Sequence, residues 1–237
     1  MKAFLLAAGE GRRLRPLTHT IPKCLVPING TPLLAIWLQL CRLYGVTEVL
    51  INLHHLPQQV LAFVHSHDFG VRVVTAYEEH LLGSAGTVGA HWSFVAGTGD
   101  FFIIYADNLT NIDLSAMLRF HRQRHSPFTM GLFHTDTPWE KGIVTLDAQD
   151  RVIDFVEKPV QPRSNLANAG IYIANQELCR YLTTDTFLDF GFDVLPRLVG
   201  HMYGYCIREY WLDIGTPKTY QQAQSAWRQM TRERGQG

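Results

Sequence analysis

An apolar run that leads directly into a loop rich in glycine, proline and arginine opens the chain: residues 2–31 read KAFLLAAGEGRRLRPLTHTIPKCLVPINGT. Residues 2–7 have the continuous apolar character of a strand that is covered on both faces of a sheet. The segment imitates a signal peptide, but its apolar part is too short and the charged stretch 10–13 follows at once, so we predict a buried strand. Residues 8–31 are predicted to form a long irregular loop, and such loops inside compact domains are usually functional.

The remainder of the chain alternates between predicted strands and helices, which is typical of an α/β fold. The pair Thr31-Pro32 predicts the start of the first helix, with Thr31 as its N-cap, and Gly45 ends that helix. Further predicted elements of the first half are strands 46–52, 71–76, 101–106 and 128–134 and helices 57–67, 84–95 and 113–124. The second half is predicted to contain a hairpin (143–147 with 152–156), strands 169–174 and 203–208, helical segments 175–182 and 191–199, and a final helix from Thr216.

Composition and charge exclude several classes of protein. The 237 residues include 21 Lys+Arg and 21 Asp+Glu, and this balance argues against a polycationic nucleic-acid binder. Hydrophobic residues make up 46%, enough to build a core, while no stretch approaches the roughly 20 apolar residues of a membrane span. The four cysteines form no CxxC pair, so we expect neither a zinc site nor a disulfide framework, and we expect a cytoplasmic location.

The loop after the first predicted strand concentrates positive charge. Arg12, Arg13, Arg15 and Lys23 fall within twelve residues, and Glu10 is the acidic residue beside them. Guanidinium forks and backbone N–H groups near glycines suit phosphate oxygens, and open α/β sheets bind ligands at the carboxyl ends of their strands. A solvated basic loop is the alternative interpretation of these residues alone. The loop is neither a Walker motif nor a dinucleotide fingerprint, because GxxxxGK[ST] and the third glycine are missing.

Six segments, in order along the chain, resemble the sugar-1-phosphate nucleotidyltransferases, also called nucleotide-sugar pyrophosphorylases. The segments are residues 6–18 with 22–28, Leu82–Thr87, Asp107–Leu109, Phe155–Pro159, Asn168–Tyr172 and Trp211–Pro217. The resemblance covers nearly the whole chain, and in particular the chain looks like short guanylyltransferases for mannose or manno-heptose 1-phosphate. It implies an α/β fold with a Rossmann-like open, mostly parallel mixed sheet flanked by helices, and a small β-rich sugar-binding insertion.

The resemblance also implies how the chain is organised. A single nucleotidyltransferase domain would cover residues 1–237. Its nucleotide-binding part would lie mainly in residues 1–112, its sugar-binding part mainly in 113–210, and a C-terminal helix in 216–230. The expected partners are a nucleoside triphosphate and a sugar 1-phosphate, with no nucleic acid and no membrane. The sequence does not fix the oligomeric state, and a homodimer is the assembly considered.

The family reaction, attack of a sugar-1-phosphate oxygen on the α-phosphorus of a nucleoside triphosphate, depends on positioning and charge neutralisation. By resemblance, Arg13 and Lys23 stabilise the phosphates and the leaving pyrophosphate. Asp107 and Asp213 would hold Mg²⁺, a cation that takes oxygen ligands. The residues implied to bind the nucleotide are Leu6, Ala7, Ala8, Gly9, Glu10, Gly11, Arg12, Glu78, Gly83, Ser84, Ala85 and Gly86.

The sugar phosphate is expected to bind in the β-rich insertion. By resemblance, Glu157 accepts hydrogen bonds from sugar hydroxyls, and Lys158 pairs with the phosphate. Asn168 can bond hydroxyls through both ends of its amide. Trp139 is placed either against a sugar ring or in a core or hinge position. The residues implied to bind the sugar phosphate are Asn108, Gly142, Glu157, Lys158 and Asn168.

Glu78 bears on the choice of nucleotide base. Family members that use uracil or thymine commonly carry a glutamine before the glycine-rich loop, and Glu78 stands at the matching position. A carboxylate accepts hydrogen bonds and does not donate them, so it suits the adjacent N1–H and N2–H₂ donors of guanine. We therefore expect GTP to be favoured over UTP, dTTP or CTP. The alternative is that Glu78 is a surface residue at the end of a strand.

Two other functions compete with the enzyme. A non-catalytic subunit that binds nucleotide sugars and regulates a partner would be expected to lose Arg13, Lys23, Asp107 or Asp213, and all four are present. An oxidoreductase of the dinucleotide-binding type would need an acidic residue where 52–54 reads Asn-Leu-His. The histidines are assigned to no metal site, and the pair His121 and His125 is interpreted as part of a solvated helix face.

Overall fold

The computed structural model describes residues 1–183 and 187–234, with side chains up to residue 230. The strands are β1 (Lys2–Leu6), β2 (Pro27–Ile28), β3 (Thr31–Pro32), β4 (Glu48–Leu53), β5 (Arg72–Tyr77), β6 (Phe101–Tyr105), β7 (Asn108–Thr110), β8 (Phe128–His134), β9 (Gly142–Leu146), β10 (Val152–Glu157), β11 (Leu166–Ala174), β12 (Tyr203–Cys206) and β13 (Trp211–Asp213). The α-helices are α1 (Leu33–Leu43), α2 (Pro57–His65), α3 (Ser84–Ala90), α4 (Leu114–Gln123), α5 (Leu195–Leu198) and α6 (Pro217–Arg234).

A nine-stranded mixed sheet organises the molecule. Its main order is β10-β9-β11-β6-β1-β4-β5, and β8 and β12 join it through β11. The strands β6, β1, β4 and β5 run parallel to one another, and β11 continues the sheet antiparallel to β6. The expected Rossmann-like mixed sheet is therefore confirmed, and the predicted hairpin is the antiparallel pair β9–β10.

Alternation along the strands places a hydrophobic core on each face of the sheet. In β1, Ala3 and Leu5 belong to one core and Phe4 to the other, and all three are fully buried. Helix α1 covers the first core, and α3 and α5 pack in the second. Because both faces are covered, β1 is apolar at every central position, as parallel strands usually are. Among the described helices, none has the length and apolar character needed to cross a bilayer.

Several local predictions are corrected by longer-range contacts. Thr31 is not a helix N-cap, because residues 31–32 pair with residues 27–28 as a short antiparallel ribbon, and α1 begins after Pro32. The predicted helical segment 175–182 is a 3₁₀ helix over Gln176–Tyr181. His121 does not lie on a solvated face: it is buried, and its Nδ1 lies 2.8 Å from Thr129 Oγ1.

Two irregularities shape the edge of the sheet where side chains of several elements converge. The short strands β7 and β13, which the sequence did not predict, pair antiparallel and set Asp213 opposite Asn108. In β11 the ladder is interrupted between Asn168 and Tyr172, and Gly170 there has a φ of +67°. A side chain at Gly170 would meet the ring of Tyr105 at 3.0 Å, so the glycine permits this close approach.

Candidate functional site

The carboxyl ends of four neighbouring parallel strands open into one pocket, which we call the strand-end pocket. Leu6 ends β1, Asn52 lies near the end of β4, Glu78 follows β5, and Tyr105 ends β6. This is the position at which open α/β sheets bind ligands. The pocket is lined by Leu6, Ala7, Ala8, Gly9, Lys23, Cys24, Asn52, Glu78, Leu81, Gly83, Ser84, Tyr105, Ala106, Asp107 and Phe187.

Most of the residues expected to bind a nucleotide line this pocket, and five do not. Those outside the lining are Glu10, Gly11, Arg12, Ala85 and Gly86. The carboxylate of Glu10 is paired with the exposed guanidinium of Arg12 at 2.7 Å. The N–H groups of Ala85 and Gly86 both donate to the carbonyl of Leu188 at 2.9 Å. The start of α3 therefore holds the segment around residue 188, and those two N–H groups already have an acceptor.

Glu78 is a buried carboxylate within a hydrogen-bond network, so its interpretation as a surface residue is wrong. It is 4% exposed. Its Oε1 accepts from Asn52 Nδ2 at 2.9 Å and from Thr87 Oγ1 at 2.6 Å, and its Oε2 accepts from the N–H of Leu82 at 3.2 Å. The other end of the Asn52 amide accepts from the N–H of Ala7 at 2.7 Å. The network thus links the start of the loop after β1, at Ala7, to the carboxylate of Glu78.

Four predicted charged residues from distant parts of the chain meet at the edge of this pocket. Lys23 Nζ lies 2.7 Å from Asp107 Oδ2 and 3.7 Å from Asp213 Oδ1. Arg13 Nη2 lies 3.9 Å from Asp213 Oδ2. Gly215 makes room for this contact, since a side chain there would meet both Arg13 and Asp213 at 3.0 Å. The structure therefore brings Arg13, Lys23, Asp107 and Asp213 together.

Asp213 is held ionised by its neighbours. Burial alone would raise its pKa, but the ammonium groups of Lys23 and Lys141 and the guanidinium of Arg13 outweigh burial and lower the pKa below its usual 3.8. Its Oδ1 is buried and accepts no hydrogen bond from any residue that the structure describes. A buried carboxylate oxygen without a donor is costly, so it is available to a further cationic partner.

A second, polar pocket adjoins the first, and we call it the polar pocket. It is lined by Arg13, Tyr105, Asp107, Asn108, Glu140, Lys141, Gly142, Glu157, Lys158, Asn168, Ala169, Gly170, Asp189, Gly191, Phe192, Trp211 and Asp213. Tyr105 and Asp107 line both pockets. Two ligands bound side by side would therefore meet at the carboxylate of Asp107.

All five residues expected to bind a sugar phosphate line the polar pocket. The carboxylate of Glu157 lies between two glycines, because a side chain at Gly142 or Gly191 would approach its Oε2 to 2.6 or 2.7 Å. Burial raises the pKa of Glu157; Lys158 opposes the rise and Asp189 adds to it. Trp139, by contrast, is 55% exposed and lies outside the lining.

The two asparagines of this pocket have internal partners. Asn108 Nδ2 donates to the carbonyl of Ala169 at 2.8 Å. Asn168 Nδ2 donates to the hydroxyl of Tyr172 at 2.7 Å, and its Oδ1 accepts from the N–H of Gly170 at 2.9 Å. Each end of the Asn168 amide keeps one further bonding site. Both side chains therefore fix the interrupted segment of β11 in addition to facing the pocket.

Among the polar site residues that the sequence did not predict, Lys141, Asp189 and Asn52 make contacts that shape the site. Lys141 donates from Nζ to Asp213 Oδ2 at 2.9 Å. Asp189 Oδ2 accepts from Ser84 Oγ at 2.9 Å, which joins the two pockets. Asn52, described above, could have been found, because it lies near the carboxyl end of a predicted strand. Lys141 precedes the predicted glycine Gly142, but its contact with Asp213 spans 72 residues and has no local signal.

The sequence matches a known protein family along almost its whole length. The sequence model of the family described as "Nucleotidyl transferase" matches residues 2–230. A UTP–glucose-1-phosphate uridylyltransferase of Synechocystis sp. is 32% identical over 94% of this chain and 62% of its own length. A probable mannose-1-phosphate guanylyltransferase of Oryza sativa is 32% identical over 93% of this chain and 63% of its own length. The chain spans a little over three fifths of these relatives, whose names specify different nucleotides and sugars.

Solved structures share the fold. A putative glucose-1-phosphate thymidylyltransferase from Bacillus anthracis superposes with a TM-score of 0.85, at 24% identity, over 95% of this chain and 94% of that one. HddC from Yersinia pseudotuberculosis, solved in complex with GMP-PN, superposes with a TM-score of 0.81, at 23% identity, over 95% of this chain and 99% of that one. The family match over residues 2–230 and the relatives at 32% identity confirm the resemblance noted in the sequence: this chain belongs to the sugar-1-phosphate nucleotidyltransferase family.

Proposed function

We propose that this protein is an enzyme that makes a nucleotide sugar and pyrophosphate from a nucleoside triphosphate and a sugar 1-phosphate. GTP is the favoured nucleotide, and D-glycero-D-manno-heptose 1-phosphate or mannose 1-phosphate is the favoured sugar. The observation that carries this proposal is the junction of the two pockets at Asp107, with the cations Lys23 and Arg13 beside it. Family membership supports the reaction class.

In this reaction an oxygen of the sugar 1-phosphate forms a bond to the α-phosphorus, and the bond from that phosphorus to the oxygen bridging to the β-phosphate breaks. Pyrophosphate leaves with the electron pair. Lys23, which is 7% exposed, would hold its charge against the reacting phosphates, where a low local dielectric strengthens electrostatic stabilisation. Arg13, whose side chain is 66% exposed at the pocket edge, would bind the leaving pyrophosphate.

The two aspartates fit the Mg²⁺ that the family implies. Asp213 Oδ1 is buried and has no hydrogen-bond donor among the described residues, and Asp107 faces both pockets. Within residues 1–183 and 187–234, no group of three or more His, Cys, Asp or Glu side chains could hold a metal ion. Asp107 and Asp213 would therefore supply two oxygen ligands, with phosphate and water oxygens as the natural remainder. When bound, the cation would neutralise charge on the phosphates.

The preference for GTP rests on Glu78. Its carboxylate lines the strand-end pocket and accepts three hydrogen bonds from the protein, out of about four sites. Thr87 Oγ1 has a second acceptor, the carbonyl of Gly83 at 3.1 Å. With the hydroxyl proton directed at Glu78, as the 2.6 Å contact favours, Oε1 has both of its acceptor sites taken and Oε2 keeps one free site. Guanine offers two adjacent donors to this side of the carboxylate, whereas uracil and thymine offer one donor between two acceptors.

The test measures pyrophosphate release with Mg²⁺, each common nucleoside triphosphate, and a panel of sugar 1-phosphates. We expect the highest kcat/KM with GTP and a manno-configured sugar 1-phosphate. Glu78→Gln is expected to lower the ratio of GTP to UTP kcat/KM by about 10- to 100-fold, because a charged acceptor is lost. Glu79→Gln, at the exposed neighbouring position, is the control. An unchanged ratio in Glu78→Gln would remove the basis for guanine recognition.

The same panel of substrates distinguishes the proposed enzyme from the regulatory alternative. A protein that binds a nucleotide sugar but releases no pyrophosphate with any pair would be a non-catalytic subunit.

We also propose a cytoplasmic location, supported by the four cysteines, which are all free. The division into a nucleotide part (1–112) and a sugar part (113–210) stays a proposal, as does assembly into a homodimer.

A further inference from the structure

Lys141 occupies a position in the polar pocket that no prediction assigned. It follows the 3₁₀ turn Pro138–Glu140 and directly precedes β9. Its carbonyl accepts from the N–H of Lys158 at 3.0 Å, so the start of the hairpin holds the backbones of the two lysines together. Both side chains line the polar pocket, and the two lysines are candidates for the same ligand charge.

The two ammonium groups have different surroundings. Lys141 Nζ lies 2.9 Å from Asp213 Oδ2, and its side chain is 21% exposed. Lys158 is an exposed residue, and its Nζ lies 5.7 Å from the centre of the Phe192 ring. The Lys141 ammonium is the more enclosed of the two and lies beside the junction of the pockets. Charges with less solvent around them act more strongly on a bound phosphate.

Charge in the polar pocket argues that Lys141 does more than pair with Asp213. The lining contains five carboxylic acids, Asp107, Glu140, Glu157, Asp189 and Asp213, and three basic residues, Arg13, Lys141 and Lys158. A phosphate dianion entering such a pocket would be repelled unless the cations are directed at it and some carboxylates are neutralised. A divalent cation at the two aspartates would neutralise them, and Lys141 would then have its charge available.

We propose that Lys141 binds the phosphate of the sugar 1-phosphate: its ammonium pairs with Asp213 in the free protein and with that phosphate once Asp213 holds a divalent cation. This inference rests on the proposed function and adds a substrate-binding residue to it. It also gives Asp213 a counter-ion in the absence of a metal. Lys141 and the metal would compete for the same carboxylate in the absence of substrates.

The test compares Lys141→Met, Lys141→Arg and the control Lys218→Met, an exposed lysine in the first turn of α6. For Lys141→Met we expect KM for mannose 1-phosphate to rise about 10- to 100-fold, the loss typical of a charge-assisted hydrogen bond, while KM for GTP changes less than about twofold. Lys141→Arg is expected to retain most of the binding, and Lys218→Met to match the wild type. Thermal unfolding identifies any variant that fails to fold.

A second measurement needs no turnover. Mn²⁺ binding to the protein without substrates is expected to be tighter in Lys141→Met than in the wild type, by about 3- to 10-fold, because a competing cation is gone. A lysine that simply held Asp213 in place would give the opposite result: weaker Mn²⁺ binding and an equal rise in KM for both substrates. That outcome would overturn the proposal.

Calorimetry distinguishes failure of the Lys141 proposal from failure of the proposed function. It measures mannose 1-phosphate binding in the presence of Mg²⁺ and a GTP analogue that carries a methylene between its α- and β-phosphorus. Weaker binding to Lys141→Met than to the wild type supports the role of Lys141 whatever the turnover. Equal binding overturns that role even if the wild type releases pyrophosphate. Absence of release by the wild type with every substrate pair would overturn the proposed function instead.

Discussion

Lys23 and Asp107, 84 residues apart in the sequence, form an ion pair of 2.7 Å at the point where the two pockets meet. Lys23 also lies 3.7 Å from Asp213 Oδ1, so one nearly buried ammonium contacts both proposed metal ligands. A cation fixed there needs little reorganisation to stabilise charge that develops on the phosphates. These contacts of Lys23 connect the loop after β1 with the segment that follows β6 and with β13.

Lys23→Met is expected to lower kcat/KM for pyrophosphate release by about 10²–10³-fold, since a preorganised charge near the reacting phosphates is lost. Lys23→Arg should recover little of this, because a larger planar guanidinium does not fit the place of a compact ammonium. Steady-state kinetics on variants with native-like thermal unfolding check the effect. A loss of less than about threefold for Lys23→Met would show that Lys23 lies outside the reaction centre.

Asp213→Asn is expected to weaken Mn²⁺ binding and to abolish most of the metal-dependent activity, because the orphaned Oδ1 belongs to a proposed ligand. Titrating Mn²⁺ by its effect on water proton relaxation gives the affinity directly. Asp136→Asn, at an exposed position, serves as the matched control and should bind Mn²⁺ like the wild type. Equal affinities for the wild type and Asp213→Asn would place the metal elsewhere.

Thr87→Val tests how Glu78 is oriented. Valine has the shape of threonine without the hydroxyl, so one donor to Glu78 Oε1 is lost while the packing of α3 is kept. We expect the preference for GTP over UTP to fall about 3- to 10-fold, in line with the loss of one hydrogen bond. Thr87→Ser, which keeps the hydroxyl, should preserve the preference. A preference that is equal in both variants would mean that Thr87 does not position the carboxylate.

Glu157→Gln tests how much the buried carboxylate between Gly142 and Gly191 lowers the free energy of unfolding at neutral pH. Because burial raises its pKa above the usual 4.5, the folded protein binds this proton more tightly than the unfolded chain does. The wild type should therefore lose stability as the pH rises from about 4.5 through the raised pKa, and Glu157→Gln should not. The variant is expected to unfold at a higher temperature than the wild type at pH 8 and at a similar temperature near pH 4.5.

Glu79→Gln, exposed and outside both pockets, controls for the change of net charge and should follow the wild type at each pH. The same Glu157→Gln variant should raise KM for the sugar 1-phosphate. A constant difference in unfolding temperature between Glu157→Gln and the wild type from pH 4.5 to 8 would contradict the raised pKa of Glu157.

The sequence predicted those parts of the fold that depend on residues only a few positions apart. The apolar run of β1, the hairpin β9–β10 and the glycine that ends α1 each follow from residues within a few positions of one another. Thr31 shows the limit of such rules. Its Thr-Pro pair has the chemistry of a helix start, but pairing with residues 27–28 holds it as a strand, and tertiary contacts override local preference.

In the site, too, residues with a local sequence pattern could be predicted, and residues placed by long-range contacts could not. The Arg13 and Lys23 loop could be predicted because its charge surplus is local. The pairing of β7 with β13, which places Asp213 opposite Asn108, joins residues about a hundred positions apart and rests on three-residue strands with no periodic signal. The resemblance to a family, rather than any spacing, is what indicated Asp213. Lys141 matched no motif quoted from the sequence, and its role became visible through its distance to Asp213.

The most direct test of the account follows the phosphorus atoms of both substrates by ³¹P NMR, with the protein, Mg²⁺, GTP and mannose 1-phosphate or a manno-heptose 1-phosphate. The account predicts equal amounts of pyrophosphate and of a diphosphate diester that joins the guanosine phosphate to the sugar phosphate, formed only when both substrates are present. Release of inorganic phosphate from GTP alone, or no reaction with any nucleoside triphosphate and sugar 1-phosphate pair, would contradict it.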